Sequence, residues 1–321
     1  MNQAVVFHAA TKEILHKAVE AVDVGALTPH QFAWLDLDEI DTSQIQAFCI
    51  AAGIPEREVA DLLSPETEDW AQPHQEYVLS KVPVCHLEGD RVVLVPLVIV
   101  MTPAVIITAR GGPVAAFDKV YNAYRESFET VGRSPAFIYF LVWDALVDEF
   151  LPKIAFVDNR LEDIEEDYMA GHAGAEILDR IAECRHMVRS LKKSLAPMQR
   201  VMRHLGGSKL ELVSDEARAY LRQLFDHMDR LSQNLDSLQD RAHSTLAGYN
   251  SVLAQQQNNV LKVLTIIATI MMPLSLIAGI YGMNFVRIPG LDSQHGFLVV
   301  VGVMAALGVT MLAVFRLRKW L

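Results

Sequence analysis

Near the C-terminus, oxygen-bearing, small and adaptable side chains recur at spacings of three and four. Asn258, Leu261, Leu264, Ala268, Met272, Ser275 and Gly279 therefore fall on one stripe of a helix. The stripe ends at Gly282, Met283 and Asn284. An asparagine at the end of an apolar helix, just after a glycine that can free the backbone, offers amide and carbonyl oxygens. Hard cations prefer such ligands. Mg2+ sheds its water reluctantly, so a neutral oxygen ring that grips the hydrated ion makes a workable filter. Helix-end chemistry alone also allows a plainer reading, with Asn284 as a C-cap and Gly282 as the C′ residue. Ala268, Ser275 and Gly279 equally suit close packing of helices in lipid.

The elements that carry this stripe are membrane spans by composition. Residues 263–286 contain no charged side chain, and neither do residues 296–315, so each run can cross a hydrocarbon core that needs about 20 residues. They explain how a mean hydropathy of +0.21 coexists with 21% charged residues. Residues 92–108 are also apolar, but Pro96, Pro103 and the abundance of Val and Ile suit two short buried strands. Lys262 precedes the first span, and Arg316, Arg318 and Lys319 follow the second, whereas the connecting loop holds only Arg287 and Asp292. Both ends are expected in the cytoplasm. The first eight residues lack a basic segment and a long apolar one, so no signal peptide is expected there.

Of 28 basic and 39 acidic side chains, residues 260–321 hold five and one. The rest carries 23 against 38, a balance of −15 that disfavours nucleic acid and anionic bilayers and suits either cation attraction or simple solubility. Cys49, Cys85 and Cys184 lie far apart without CxxC spacing, as expected for reduced thiols and not for a zinc knuckle.

The chain divides into an α/β domain over residues 1–132, a helical region over 133–259 and a two-span hairpin over 260–321 with an outer loop at 282–296. Residues 32–37, 77–87, 91–100 and 104–108 read as strands, with Glu88-Gly89-Asp90 a hairpin turn. Residues 42–52, 56–63 and 113–130 read as helices. Gly111-Gly112 is a turn signal without the lysine-serine pair of a phosphate loop. Helical spacing then runs through 137–169 and 175–205, broken by the glycines at 171–174 and 206–207. Ser214 is an N-cap candidate, and no proline follows until Pro273. If residues 215–280 form one helix, they make a rod of roughly 100 Å that serves as both stalk and first span. A break near Gly248 is the alternative. Leu221, Leu224, Met228, Leu231, Leu235 and Leu238 recur at heptad spacing, as a packed stalk requires.

Residues 262–270, the Met272-Pro273-Leu274 step and residues 277–285 closely resemble the CorA family of magnesium and cobalt channels, whose signature is the Gly-Met-Asn tripeptide. The Arg318-Lys319-Trp320-Leu321 ending is similar too. The match covers about the last 65 residues. It implies a homopentameric funnel of α/β domains, long helical stalks and two C-terminal transmembrane helices per subunit, set in the inner or plasma membrane. By this resemblance Asn284 binds the hydrated ion at the pore mouth, supported by Gly282 and Met283. Ser275 and Met272 line the pore, Leu264 and Leu261 form a hydrophobic constriction, and Asn258 forms a polar ring below it. No cofactor is implied beyond the transported or regulatory Mg2+, Co2+ or Zn2+.

Two features depart from the magnesium branch. Gly290 stands where a glutamate is expected, and Ile288-Pro289-Gly290 is more similar to the zinc-transporting ZntB branch. Met283 favours the magnesium branch. The family's cytosolic regulatory metal would fall to acids of the stalk, with Asp226, Asp229, Asp236 and Asp240 as candidates. His227 and His243 form no i, i+4 histidine pair for a zinc-linked variant. A membrane-anchored sensor or scaffold is the reading from another class. For an enzyme, the sequence holds no nucleophile-base spacing, no metal-ligand cluster and no phosphate loop.

Overall fold

The structure is a computed structural model that describes residues 2–66, 70–89, 91–130, 134–171, 174–207, 212–283, 295–318 and 320. Asn284, most of the outer loop and Lys319 lie outside the described residues. The chain forms two compact units, Met1–Leu246 and Ala247–Leu321.

The first unit is built on a mixed seven-stranded sheet. Its strands are β1 (Gln3–His8), β2 (Glu13–Lys17), β3 (Gln31–Leu37), β4 (Trp70–Pro73), β5 (Val78–Glu88), β6 (Arg91–Met101) and β7 (Val105–Arg110), in the order β2-β1-β3-β7-β6-β5-β4. Only the β3–β7 pair is parallel, with Leu35 opposite Ile107. The β5–β6 hairpin closes Glu88 on Arg91, and Gly89 supplies the left-handed residue of its turn at φ +58°. The four strands expected from sequence are present within two residues at each end. β1, β2 and β4 are additional.

Strand alternation gives the sheet two apolar faces. Val6, Ala33, Leu35, Val100 and Ile107 face a core completed by α1 (Thr42–Ala51) and α2 (Glu56–Leu63), through Ile45, Cys49, Val59 and Leu62. On the opposite side, Phe7 and Phe32 stack at 4.7 Å, and Phe7 meets Tyr124 and Phe128 of α3 (Ala116–Thr130). The Pro113–Val114–Ala115 segment stays outside α3, which begins at Ala116 and not at residue 113. Expected continuous helicity over 137–169 resolves into α4 (Pro135–Asp148) and α5 (Phe150–Met169), which part at Glu149. Glu149 accepts from Lys153 and Lys119 there.

α6 (Ala175–Gly207) lies against the β4–β6 end of the sheet. Ser194 Oγ donates to the Pro83 carbonyl at 2.6 Å, and Cys85 Sγ donates to the Ser190 carbonyl at 3.5 Å. α7 (Asp215–Tyr281) is a single helix of 67 residues, so Gly248 does not break it. A lone glycine costs only about 1 kcal/mol in a helix. Ser214 Oγ accepts from the Ala217 amide at 3.2 Å and caps its start, as expected. The six heptad residues of α7 are 0–4% exposed, and Ala242 and Thr245 extend the buried stripe. Much of what covers it within the first unit is the chain's own α5 and α6: Gln199 donates to the Met228 carbonyl, and Arg241 reaches α5.

A charged cluster sits inside this unit. Asp36 is 1% exposed and accepts from Thr108 Oγ1 at 2.6 Å, from Arg110 Nη2 at 2.7 Å and from the Tyr121 hydroxyl. Trp34 Nε1 donates to the same Thr108 hydroxyl. Arg110 also pairs with Asp38 and lies over the Phe117 ring. Burial pushes the Asp36 carboxyl up, and it stays above its ordinary value although Arg110, Thr108 and Tyr121 pull it down. An acid whose folded pKa is raised costs no stability below its unfolded pKa and its full penalty above the folded one. Removing Arg110 raises Asp36 further, so Arg110→Met is expected to destabilise the protein by about 3 kcal/mol or more at pH 8. The loss should shrink as pH falls toward 4. Thermal unfolding of the detergent-solubilised chain at both pH values checks this, and a loss that is equal at both contradicts it.

Candidate pore-lining helix

Within the second unit, the apolar part of α7 and α8 (Gly296–Leu317) are each long and apolar enough to cross a membrane. A helix satisfies its own backbone, which is the condition for any segment surrounded by hydrocarbon. The hydroxyls follow the same rule. Thr265 Oγ1 donates to the Leu261 carbonyl and Thr269 Oγ1 to the Thr265 carbonyl, both at 2.7 Å, and Thr310 does likewise on α8. Pro273 lies inside α7 and has no amide hydrogen for the Thr269 carbonyl. The helix nevertheless continues to Tyr281.

The two sides of α7 differ in cover. Ile266 is buried at 6% exposure, and Ile270, Pro273, Leu274 and Ile277 are half-buried. α8 carries a corresponding half-covered stripe of Val300, Met304, Leu307, Met311 and Phe315. Such paired stripes are what adjacent helices present where they meet. At about 100° per residue, the stripe of Leu261, Leu264, Ala268, Met272, Ser275 and Gly279 is centred about half a turn away from the covered one. All six of these residues are exposed, with Met272 at 74%. Asn258 is exposed too, beside a Gln255 that donates to Asn259 Oδ1 at 3.1 Å. The residues singled out from spacing thus share one open side of the helix.

The last turn is tight. The Gly282 amide donates to the Ala278 carbonyl at 2.9 Å, and a Cβ on Gly282 would lie 3.1 Å from that oxygen. Glycine is therefore favoured by close approach to the preceding turn. Gly279 has nothing within 4 Å of where a Cβ would be among the described residues, so its small size meets no demand from them. Met283 donates to the Ile280 carbonyl and closes the described part of the motif.

The four stalk acids are brought to the exposed side of α7 but not into a cluster. Asp236 pairs with Lys192 of α6 and Asp229 accepts from Gln233, while Asp226 and Asp240 are also exposed. Among the described residues no three His, Cys, Asp or Glu side chains gather closely enough to hold a metal. Sequence spacing gave no sign of another set of partners. Arg241 donates to Asp158 Oδ1 at 2.6 Å and to Glu165 Oε2 at 3.2 Å, and the Thr245 hydroxyl also reaches Glu165. Burial pulls the Arg241 guanidinium down, but these two carboxylates outweigh it and raise the group above its ordinary value. The partners lie 76 to 83 positions apart, beyond any local pattern.

Residues 29–319 match the family described as CorA-like Mg2+ transporter protein. A cobalt/magnesium transport protein CorA from Thermotoga maritima is 32% identical over 206 residues, covering 64% of this chain and 58% of the relative. The alignment thus spans less than two thirds of that relative's length. A zinc transport protein ZntB from Yersinia pestis is 22% identical over 228 residues, covering 71% of this chain and 68% of the relative. In fold, the chain is similar to the complete structure of a CorA magnesium transporter from Methanocaldococcus jannaschii, with a TM-score of 0.84 at 18% identity over 100% of this chain and 99% of the other. That likeness extends from the N-terminal α/β sheet through the long helix to the two apolar helices. With a family match over nearly the whole length, this chain belongs to the CorA-like Mg2+ transporter protein family.

Proposed function

We propose that this chain is one subunit of a homopentameric channel that conducts divalent cations passively across the inner or plasma membrane. The exposed stripe of α7, opposite its covered stripe and leading to Gly282-Met283-Asn284, carries this reading. A hairpin of two helices encloses no path, so conduction requires several copies with one helix each at the axis. The open stripe is the side of α7 that remains for that role. In the assembly, Asn284 binds the hydrated ion, with Gly282 and Met283 shaping the mouth. Ser275, Met272, Ala268 and Gly279 line the path, Leu264 and Leu261 gate it by dewetting, and Asn258 forms a polar ring below. Asp226, Asp229, Asp236 and Asp240 are exposed, so any regulatory metal on them requires donors from another copy.

The basic residues flanking the spans support a topology with both termini in the cytoplasm, with residues 1–132 and 133–259 as its α/β and helical parts. No reaction is required. Two charges moving inward through 100 mV release roughly 4.6 kcal/mol, enough to accumulate the ion. The cargo is Mg2+ with Co2+. Zn2+ is the second reading, favoured by Ile288-Pro289-Gly290 in the outer loop.

Two measurements test this. In proteoliposomes, wild-type protein is expected to pass Mg2+ and Co2+, and Asn284→Ala to lower that flux at least tenfold. Equal flux would falsify the filter assignment, and flux of Zn2+ alone would select the second reading. A scaffold without conduction would pass none. For the lining, the native thiols leave little background, since Cys49, Cys85 and Cys184 are all buried. Cysteines at Leu264, Met272 and Ser275 should react with a charged, water-soluble thiol reagent in the assembled protein. Those at Ile266, Ile270 and Ile277 should not, and the reverse pattern would turn the helix around.

A further inference from the structure

Within the first unit, α6 and α7 enclose a cavity of about 110 Å3 lined by Arg185, Val188, Arg189, Lys192, Gln239, Ala242 and His243. Its floor is apolar: Val188 is 2% exposed and Ala242 is fully buried. Its other lining residues are cations, an amide and an imidazole, and among the described residues no carboxylate lines it, although Asp236 sits on Lys192. In a chain of net charge −11 that is an unexpected composition.

The three cations follow one another at spacings of four and three along α6, so they share one side of the helix. Like charges so placed repel and destabilise a helix unless something compensates them. Lys192 is compensated by Asp236 and by Gln239 Oε1 at 2.6 Å. Arg185 and Arg189 are not: neither makes a hydrogen bond or ion pair among the described residues. This contrasts with Arg241, Arg160 and Arg180 nearby, each of which has found a carboxylate. Arg185 is half-buried against the apolar floor, and Arg189 is exposed.

We propose that this cavity is a binding site for a phosphate-type oxyanion. Guanidinium forks match the oxygens of a tetrahedral anion, and an ammonium adds a point charge beside them. Gln239 and His243 contribute further donors from the facing helix. The volume corresponds to about three or four waters, which accommodates one such group. A larger molecule would place only its terminal phosphate inside and leave the rest in solvent. The bound anion would link α6 to α7 at the point where Lys192 already joins them. Inorganic phosphate and the terminal phosphate of a nucleotide share this chemistry.

The test uses the full chain in detergent with divalent cations chelated, titrated calorimetrically at constant ionic strength with sodium phosphate, with ATP and with sodium chloride. Saturable binding of phosphate or ATP at one site per chain is expected, with none for chloride. Tighter binding of phosphate identifies the free anion, and tighter binding of ATP identifies the nucleotide. Arg185→Ala with Arg189→Ala should weaken binding at least tenfold without lowering the ligand-free unfolding temperature, since it also removes the repulsion between like charges. Replacing both by lysine should restore part of it. No saturation by about 10 mM, or equal affinity in the double alanine variant, overturns the proposal. Both outcomes are independent of ion flux, so they do not bear on the conduction reading.

Discussion

The architecture depends on one stripe of α7 staying covered. Leu221, Leu224, Met228, Leu231, Leu235 and Leu238 bury their side chains at heptad spacing. Burying a leucine or methionine contributes about 1.5–3 kcal/mol, so this row outweighs the glycine at 248 and the polar residues around it. The stripe packs within its own chain, and the residues on the other side of this part of α7 are exposed. In the apolar segment the same division recurs, with Ile266, Ile270 and Ile277 covered and Leu264, Met272 and Ser275 open.

Polar groups are managed differently in the two units. In the first, charged side chains tie elements to one another, as Arg241 of α7 does with Asp158 and Glu165 of α5, and as Asp36 and Arg110 do between strands β3 and β7. In the second, the threonine hydroxyls return to their own backbone. Hydrocarbon leaves no other partner for them. The amides of Gln255 and Asn259 follow the same economy by bonding to each other one turn apart.

How much of this was readable in the residues depended on the range of the interaction. The two spans, the unbroken α7 and the open stripe rest on composition and periodicity within a few turns, and they are legible. β5, β6 and β7 were legible for the same reason, being apolar runs bounded by turn residues. β2 was not: its Glu-Ile-Leu-His-Lys segment is an exposed edge strand with no apolar alternation, held by pairing with β1. The parting of α4 from α5 at Glu149 carries a signal that the helical spacing over 137–169 passed over: Pro152, in the first turn of α5, has no amide hydrogen for the Asp148 carbonyl, and Lys153 and Lys119 pair with Glu149 at the break. The Asp36 cluster joins residues 72 to 85 positions apart, so only the folded sheet brings them together.

The placing of the three thiols has a consequence for metal chemistry. Burial pushes Cys49 up to about 12 and Cys85 to about 11, and it raises Cys184 as well. A sulfur that keeps its proton is neither a good ligand for thiophilic ions nor a nucleophile toward oxidants. The three thiols are therefore poor sites for a soft metal, and cobalt or zinc on the first unit would have to be held by oxygen and nitrogen donors.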